Sequence, residues 1–272
     1  MDLILTNLPT IAALIATGVV AGLLAGLLGV GGGIVIVPIL YFLFQAFGVS
    51  PDSAMVIATA TSLATIVPTS VTSMRAHHKK GNVDFALLKL WSGFIVVGVL
   101  VGSYLVTKVD GQWLSILFGI IATLSALNML FGSKTAVFND LPNKAGQAGM
   151  GTSVGLFSSL VGIGGGTLTV PMLTFCNYPA HKAVGTAAAV GLLISLPAAI
   201  TMLVVGVTPA DAPIGTFGLV NLVGFVCIVP LTVLFAPIGA NLAHNMDAAK
   251  LKKVFAVVLM ITGIRMLSQV FL

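Results

Sequence analysis

The apolar positions of this chain run on rather than alternate. Five stretches, Ser53 to Met74, Phe85 to Val106, Gln112 to Phe131, Lys182 to Gly206 and Ile214 to Phe235, are nearly continuous in hydrophobic residues. Each reaches the roughly 20 residues that a helix needs to cross a hydrocarbon core, so each is expected to span the membrane. Four shorter apolar arms are paired around two glycine-rich breaks. Ile11 to Leu28 and Ile34 to Phe47 flank the first, and Gly149 to Val161 and Thr167 to Asn177 flank the second. The longest polar connection, Gly132 to Gly146, has fifteen residues, too few for a soluble domain.

The breaks are copies of one another. Gly29 to Pro38 reads GVGGGIVIVP, and Gly162 to Pro171, 133 positions later, reads GIGGGTLTVP. Ala58-Thr59-Ala60 matches Gly185-Thr186-Ala187 at an offset of 127. At an offset of 137, Gly102, Leu105, Asp110, Leu114, Phe118, Met129 and Leu130 fall on Gly239, Leu242, Asp247, Leu251, Phe255, Met266 and Leu267. The chain is therefore read as an all-α polytopic membrane protein of two five-segment repeats, 1–131 and 148–272, joined by a linker over 132–147.

Composition and charge sharpen this picture. With 58% hydrophobic and 7% charged residues among 272, the chain has too little polar surface to cover a water-soluble globule. The first ten residues carry Asp2 and no Lys or Arg, so a cleavable signal peptide is not expected. Lys and Arg collect in cytoplasmic loops. Arg75, Lys79 and Lys80 follow the first long span, whereas the equivalent loop, Gly206 to Pro213, carries Asp211 and no cation. Lys134, Lys144, Lys182, Lys250, Lys252 and Lys253 fall on the same side as Arg75, and Lys108 falls opposite. Equivalent loops thus face opposite sides: the repeats are expected to be inverted, the linker cytoplasmic and both termini outside. The net charge of +5 reflects this orientation and does not point to nucleic acid. Cys176 and Cys227 lie in apolar stretches without metal-ligand spacing and read as small hydrophobes.

Inverted repeats belong to transporters that open a central site to alternate sides. A glycine tip inside the membrane exposes backbone N–H groups that lipid cannot satisfy. Glycine permits positive φ and close backbone approach, and the helix that follows offers its positive end to an anion. The expected substrate contacts are Gly31, Gly32, Gly33 and Ile34 in one tip and Gly164, Gly165, Gly166 and Thr167 in the other. Hydroxyls of Thr59, Thr61, Ser62 and Thr186 stand beside them, with Thr65 and Thr169 as further donors. Glycines Gly22 with Gly26, Gly98 with Gly102 and Gly151 with Gly155 read instead as close helix packing.

The chain has no glutamate, and its seven aspartates all fall in loops or at the chain start. Cation and proton pathways usually use buried carboxylates, so an anionic substrate fits better. Arg265 breaks the repeat, which places Asn128 at its equivalent. It reads either as a counter-charge to the substrate or as a snorkelling cation.

The doubled G-x-G-G-G-x(4)-P clusters, the run from Ala58, the Val-Gly-Thr from Val184 and the closing Gly-Ile-Arg-Met-Leu from Gly263 resemble the sulfite exporter TauE/SafE family of bacterial permeases. The resemblance spans essentially the whole chain. It implies export of small sulfur-containing anions, sulfite or organosulfonates such as sulfoacetate, across the cytoplasmic membrane. The competing readings are an anion channel and a carrier for other small anions such as carboxylates. No nucleophile, base or metal constellation supports an enzyme, no cofactor is expected, and a homodimer stays open as an assembly.

Overall fold

The computed structural model of the protein describes residues 2–29, 31–131, 138–242 and 248–271. Lys134, His244 and Asp247 lie outside these, as do the side chains of Lys250 and Lys252. The first half holds α1 (Asp2–Leu28), α2 (Gly33–Ala46), α3 (Pro51–Lys79), α4 (Phe85–Val106) and α5 (Gly111–Phe131). The second holds α6 (Lys144–Val161), α7 (Gly166–Phe175), α8 (Ala180–Val204), α9 (Leu222–Leu242) and α10 (Ala248–Phe271), with a small hairpin, β1 (Thr216–Phe217) and β2 (Val220–Asn221), before α9.

Among the described residues, five of these helices, α3, α4, α5, α8 and α9, are long and apolar enough to cross a bilayer. The apolar windows of α3 and α8 are 78% and 56% buried, against 33%, 33% and 28% for α4, α5 and α9. The first two therefore form the centre, and the outer three turn residues such as Val97, Leu124 and Val226 outwards, as lipid-facing helices do. In α3 the Ser50 hydroxyl accepts the Ser53 N–H at 3.4 Å, Pro51 follows at the first helical position, and His77, His78 and Lys79 occupy the last turn. This is the residue order that the helix dipole and its orphan amides favour.

The main helix pairs are symmetric, although among the described residues α3 with α5 has no comparable counterpart. α1 lies along α9 and α4 along α6; α2 packs on α3 and α7 on α8; α3 meets α9 and α8 meets α4; α3 pairs with α8 and α5 with α10. Exchanging the first five helices for the last five returns the same set of pairs. The central pair is antiparallel: Asp84, past the end of α3, bonds Thr186 near the start of α8, whereas Asn221, past the end of α8, bonds Thr61 near the start of α3.

Helices α1, α3 and α9 extend past their apolar runs, to Asp2, Lys79 and Leu242, and two other boundaries differ from expectation for a local reason. The apolar run from Ile214 does not begin a helix, because Gly215 and Gly218 adopt φ of +83° and +54° and turn the chain into the hairpin. Asn221 then accepts the Gly224 N–H at 2.8 Å, and α9 starts at Leu222. In the other case α6 begins at Lys144 rather than Gly149, capped by Asn143, whose side chain accepts the Gly146 N–H at 2.9 Å. Its 18 residues span about 27 Å, so the second hairpin is entered by a longer arm than its hydropathy suggested.

Small residues close the helix pairs. A Cβ at Gly26 would overlap the carbonyl oxygen of Ala236, and Cβ atoms at Gly98 and Gly155 would overlap those of Thr152 and Ile95. Without a hydrophobic driving force in lipid, such backbone approach is what holds helices together. Gly26→Leu is accordingly expected to separate α1 from α9 and destabilise the protein by about 1–3 kcal/mol, measured as a lowered Tm in detergent. Gly93→Leu, on exposed helix with nothing within 4 Å of the new Cβ, should leave Tm unchanged or slightly raised.

Candidate functional site

Each glycine cluster forms the corner between two helices. In the first, Gly29, Gly31 and Gly32 adopt φ of +65°, +73° and +79°; in the second, Gly162 adopts +74°. These are left-handed conformations that a side chain resists. Gly165 differs from expectation, with φ −54°, and its need for glycine is one of space. A Cβ there would lie 2.6 Å from Val190 Cγ1 and 3.1 Å from the Gly191 nitrogen.

The two corners touch. A Cβ on Gly31 would lie 3.2 Å from the Cα of Gly164, its counterpart at the 133-residue offset, with Ile66 of α3 alongside. A Cβ on Gly33 would lie 2.5 Å from the Gly162 carbonyl oxygen and 2.9 Å from Ser62 Oγ. Residues 31–38 and 161–167 are all buried. The returning helices are short: α2 with 14 residues and α7 with 10 reach about 21 and 15 Å, less than the roughly 30 Å of a hydrocarbon core. Neither start has a side-chain cap, so the leading N–H groups of α2, from Gly33 and Ile34, and of α7, from Gly166 and Thr167, have no side-chain acceptor. Pro38 and Pro171 stand within these helices and deprive the carbonyls of Ile34 and Thr167 of their usual amide donors.

The hydroxyls divide into two groups. Ser62 donates to the Gly162 carbonyl at 2.7 Å, and Thr65 donates to the Ser62 carbonyl at 2.7 Å. Thr61 accepts the Asn221 N–H at 2.9 Å, and Thr186 accepts the Asp84 N–H at 3.0 Å. These four brace the structure. The hydroxyls of Thr59, Thr167 and Thr169 are buried without a hydrogen-bond partner, and so are those of Ser70, Ser158 and Ser195. These six belong to the second corner or its surroundings; a seventh unpartnered hydroxyl, Thr123, lies apart from them between α5 and α10, against Gly263. Thr59 packs on Gly162, and Thr167 and Thr169 lie in the first turn of α7. The Ser158 carbonyl accepts the Ile163 N–H. Ser70 abuts Gly191, which faces Gly165, and Ser195 lies one turn beyond Gly191. Orphaned buried hydroxyls are uncommon. Sequence reasoning missed Ser70, Ser158 and Ser195; the only available signal was the position of Ser158 four residues before Gly162.

Arg265 is not gathered into this group. Its guanidinium carbon stacks 4.6 Å from the centroid of the Phe42 ring, a cation–π contact. It borders a cavity of about 210 Å³ between α2 and α10 that Ile34, Val35 and Pro38 also line. The side chain is exposed at the protein surface, and the Phe42 ring that it stacks on lies more than two turns along α2 from the corner.

Known proteins give the geometry its context. The family model described as Sulfite exporter TauE/SafE matches residues 14–266. A probable membrane transporter protein of Haemophilus influenzae is 30% identical over 254 residues, covering 92% of this chain and 95% of the relative. One of Methanocaldococcus jannaschii is 30% identical over 268 residues, covering 93% and 94%. A third, YunE of Bacillus subtilis, is 28% identical over 281 residues, covering 94% and 97%. No solved structure matches the chain. A polytopic helical membrane protein with doubled glycine corners, matched by this family over nearly its whole length, belongs to the sulfite exporter TauE/SafE family of membrane transporters.

Proposed function

We propose that this transporter exports small sulfur-containing anions, sulfite or organosulfonates such as sulfoacetate, from the cytoplasm by alternating access, and holds them at the junction of its two glycine corners. The observation that carries the reading is the contact of Gly31 with Gly164, ringed by buried hydroxyls that have no partner. Backbone amides at two uncapped helix starts and the hydroxyls of Thr59, Thr167 and Thr169 supply donors and no carboxylate, which is what an oxyanion requires.

The symmetric helix pairs and the antiparallel run of α3 against α8 support two inverted repeats, 1–131 and 148–272. Together with the cation distribution they support residence in the cytoplasmic membrane, with the linker inside and both termini outside. The membrane potential favours anion efflux by about 2.3 kcal/mol per charge for each 100 mV, so export needs no coupling ion.

Purified protein in liposomes tests the mechanism. Sulfite or sulfoacetate efflux should saturate and should accelerate when the same anion is placed on the far side. Flux that rises linearly, with no such stimulation, would establish a channel instead. A parallel screen with taurine and simple carboxylates ranks the substrates.

Single residues test the site. Thr169→Val removes a buried donor while keeping the shape, and loss of a hydrogen bond to a charged group costs about 1.5–3 kcal/mol. Its KM for sulfite should therefore rise about tenfold or more with normal expression. Arg265→Gln should leave the kinetics unchanged, because the guanidinium stacks on Phe42; a loss confined to divalent anions would restore its role as counter-charge.

A further inference from the structure

Asp84 and Asp211 are separated by 127 positions, the offset that carries Thr59 onto Thr186. Each lies in the loop between the third and fourth helices of its half, and each reaches across to the other half. Asp211 accepts the Ser50 N–H at 2.8 Å through Oδ2 and the Ser53 hydroxyl at 2.6 Å through Oδ1, at the start of α3. Asp84 accepts the Tyr178 hydroxyl through Oδ2, and its own N–H donates to Thr186, at the start of α8. Neighbouring backbone adds to both contacts: Asn221 donates to Thr61, and Asn82 packs so closely on Gly185 that a Cβ there would overlap its carbonyl. Because α3 and α8 are antiparallel, the two contacts stand at opposite ends of the central pair.

We propose that Asp84 and Asp211 are reciprocal gate residues, each clasping its loop to the N-terminal end of the other half's central helix, and that transport opens one clasp while the other stays shut. This assignment rests on the alternating-access reading above. In the present structure both clasps are closed and both glycine corners are buried, the arrangement expected of a substrate-enclosing intermediate.

The chemistry suits a gate. Both contacts are charge-assisted hydrogen bonds between an exposed or half-exposed carboxylate and neutral donors, strong enough to hold a loop and reversible in water. The Ser53 hydroxyl and then Ser50 hold the Asp211 carboxyl down at about 2, and the Tyr178 hydroxyl and the Leu87 amide lower that of Asp84. Both therefore act as carboxylates at neutral pH. The two clasps also differ in a useful way, since Asp84 Oδ1 is occupied in capping α4 through Ala86 and Leu87. Tyr178→Phe thus breaks the inner contact without disturbing that cap, and Ser53→Ala weakens the opposite one.

The test reads which side each variant opens. Thr169→Cys, in a background with Cys176 and Cys227 replaced by alanine, is labelled by a membrane-impermeant maleimide applied to one face or the other of oriented vesicles. Tyr178→Phe should raise labelling from its own side by about tenfold or more and depress it from the opposite side; Ser53→Ala should do the reverse, and the double variant should return towards balance. Asp84→Asn and Asp211→Asn should repeat the opposed shifts, and a thermal melt verifies that each variant is folded. Trans-stimulated sulfite exchange is measured on vesicles of the unsubstituted protein. Where that exchange is present, equal or absent shifts in the folded variants overturn the gates alone; where it is absent, the carrier reading falls and takes the gates with it.

Discussion

Peptide groups that leave a helix inside a membrane have to be satisfied by protein, because hydrocarbon offers no partner. The two glycine corners accept that constraint twice. At each, a helix stops, the backbone turns, and a short helix returns before it could have crossed the bilayer. The corners answer one another: Gly31 meets Gly164, Gly33 meets the carbonyl of Gly162, and α3 lays Ser62 and Ile66 against the seam. The central position and high burial of α3 follow from this duty, since it is the helix that closes over the exposed backbone. What protein does not satisfy is a set of buried hydroxyls, most of them beside the second corner, and under the proposed function these are what the corners offer to an anion.

The rest of the fold serves to hold the corners. Glycine and alanine faces let α1 sit against α9 and α4 against α6 at backbone contact, so these half-to-half joints rest on van der Waals fit and shape. Charge is kept to the ends. Asp52, which accepts the Gln112 N–H at the start of α5, and Asp84 and Asp211 tie helix starts and loops together, and all seven aspartates fall outside the long apolar stretches.

Much of this was legible in the chain. The boundaries of α4 coincide with its apolar run, and the doubled clusters located both corners because three glycines in succession have no place in a membrane helix interior. Other features needed the third dimension. Hydropathy could not separate the hairpin before α9 from the helix after it, since Ile214, Phe217, Leu219 and Val220 are as apolar as a helix and only Gly215 and Gly218 mark the turn. Nor could it find the start of α6, where Gly146, Gln147 and Gly149 dilute the signal. Thr59 and Thr61 look alike in sequence, yet one is orphaned and the other is bonded to Asn221, 160 positions away. Gly165 looks like a turn glycine and is instead a packing one.

The account stands or falls on where the anion sits. Selenite, which carries sulfite's shape and charge with a strong anomalous scatterer, can be soaked into crystals of the protein. The account predicts one anomalous peak at the seam of Gly31 and Gly164, within hydrogen-bonding reach of the α2 or α7 amides or of the Thr167 and Thr169 hydroxyls. A peak elsewhere, with the seam left empty at saturating selenite, would contradict it.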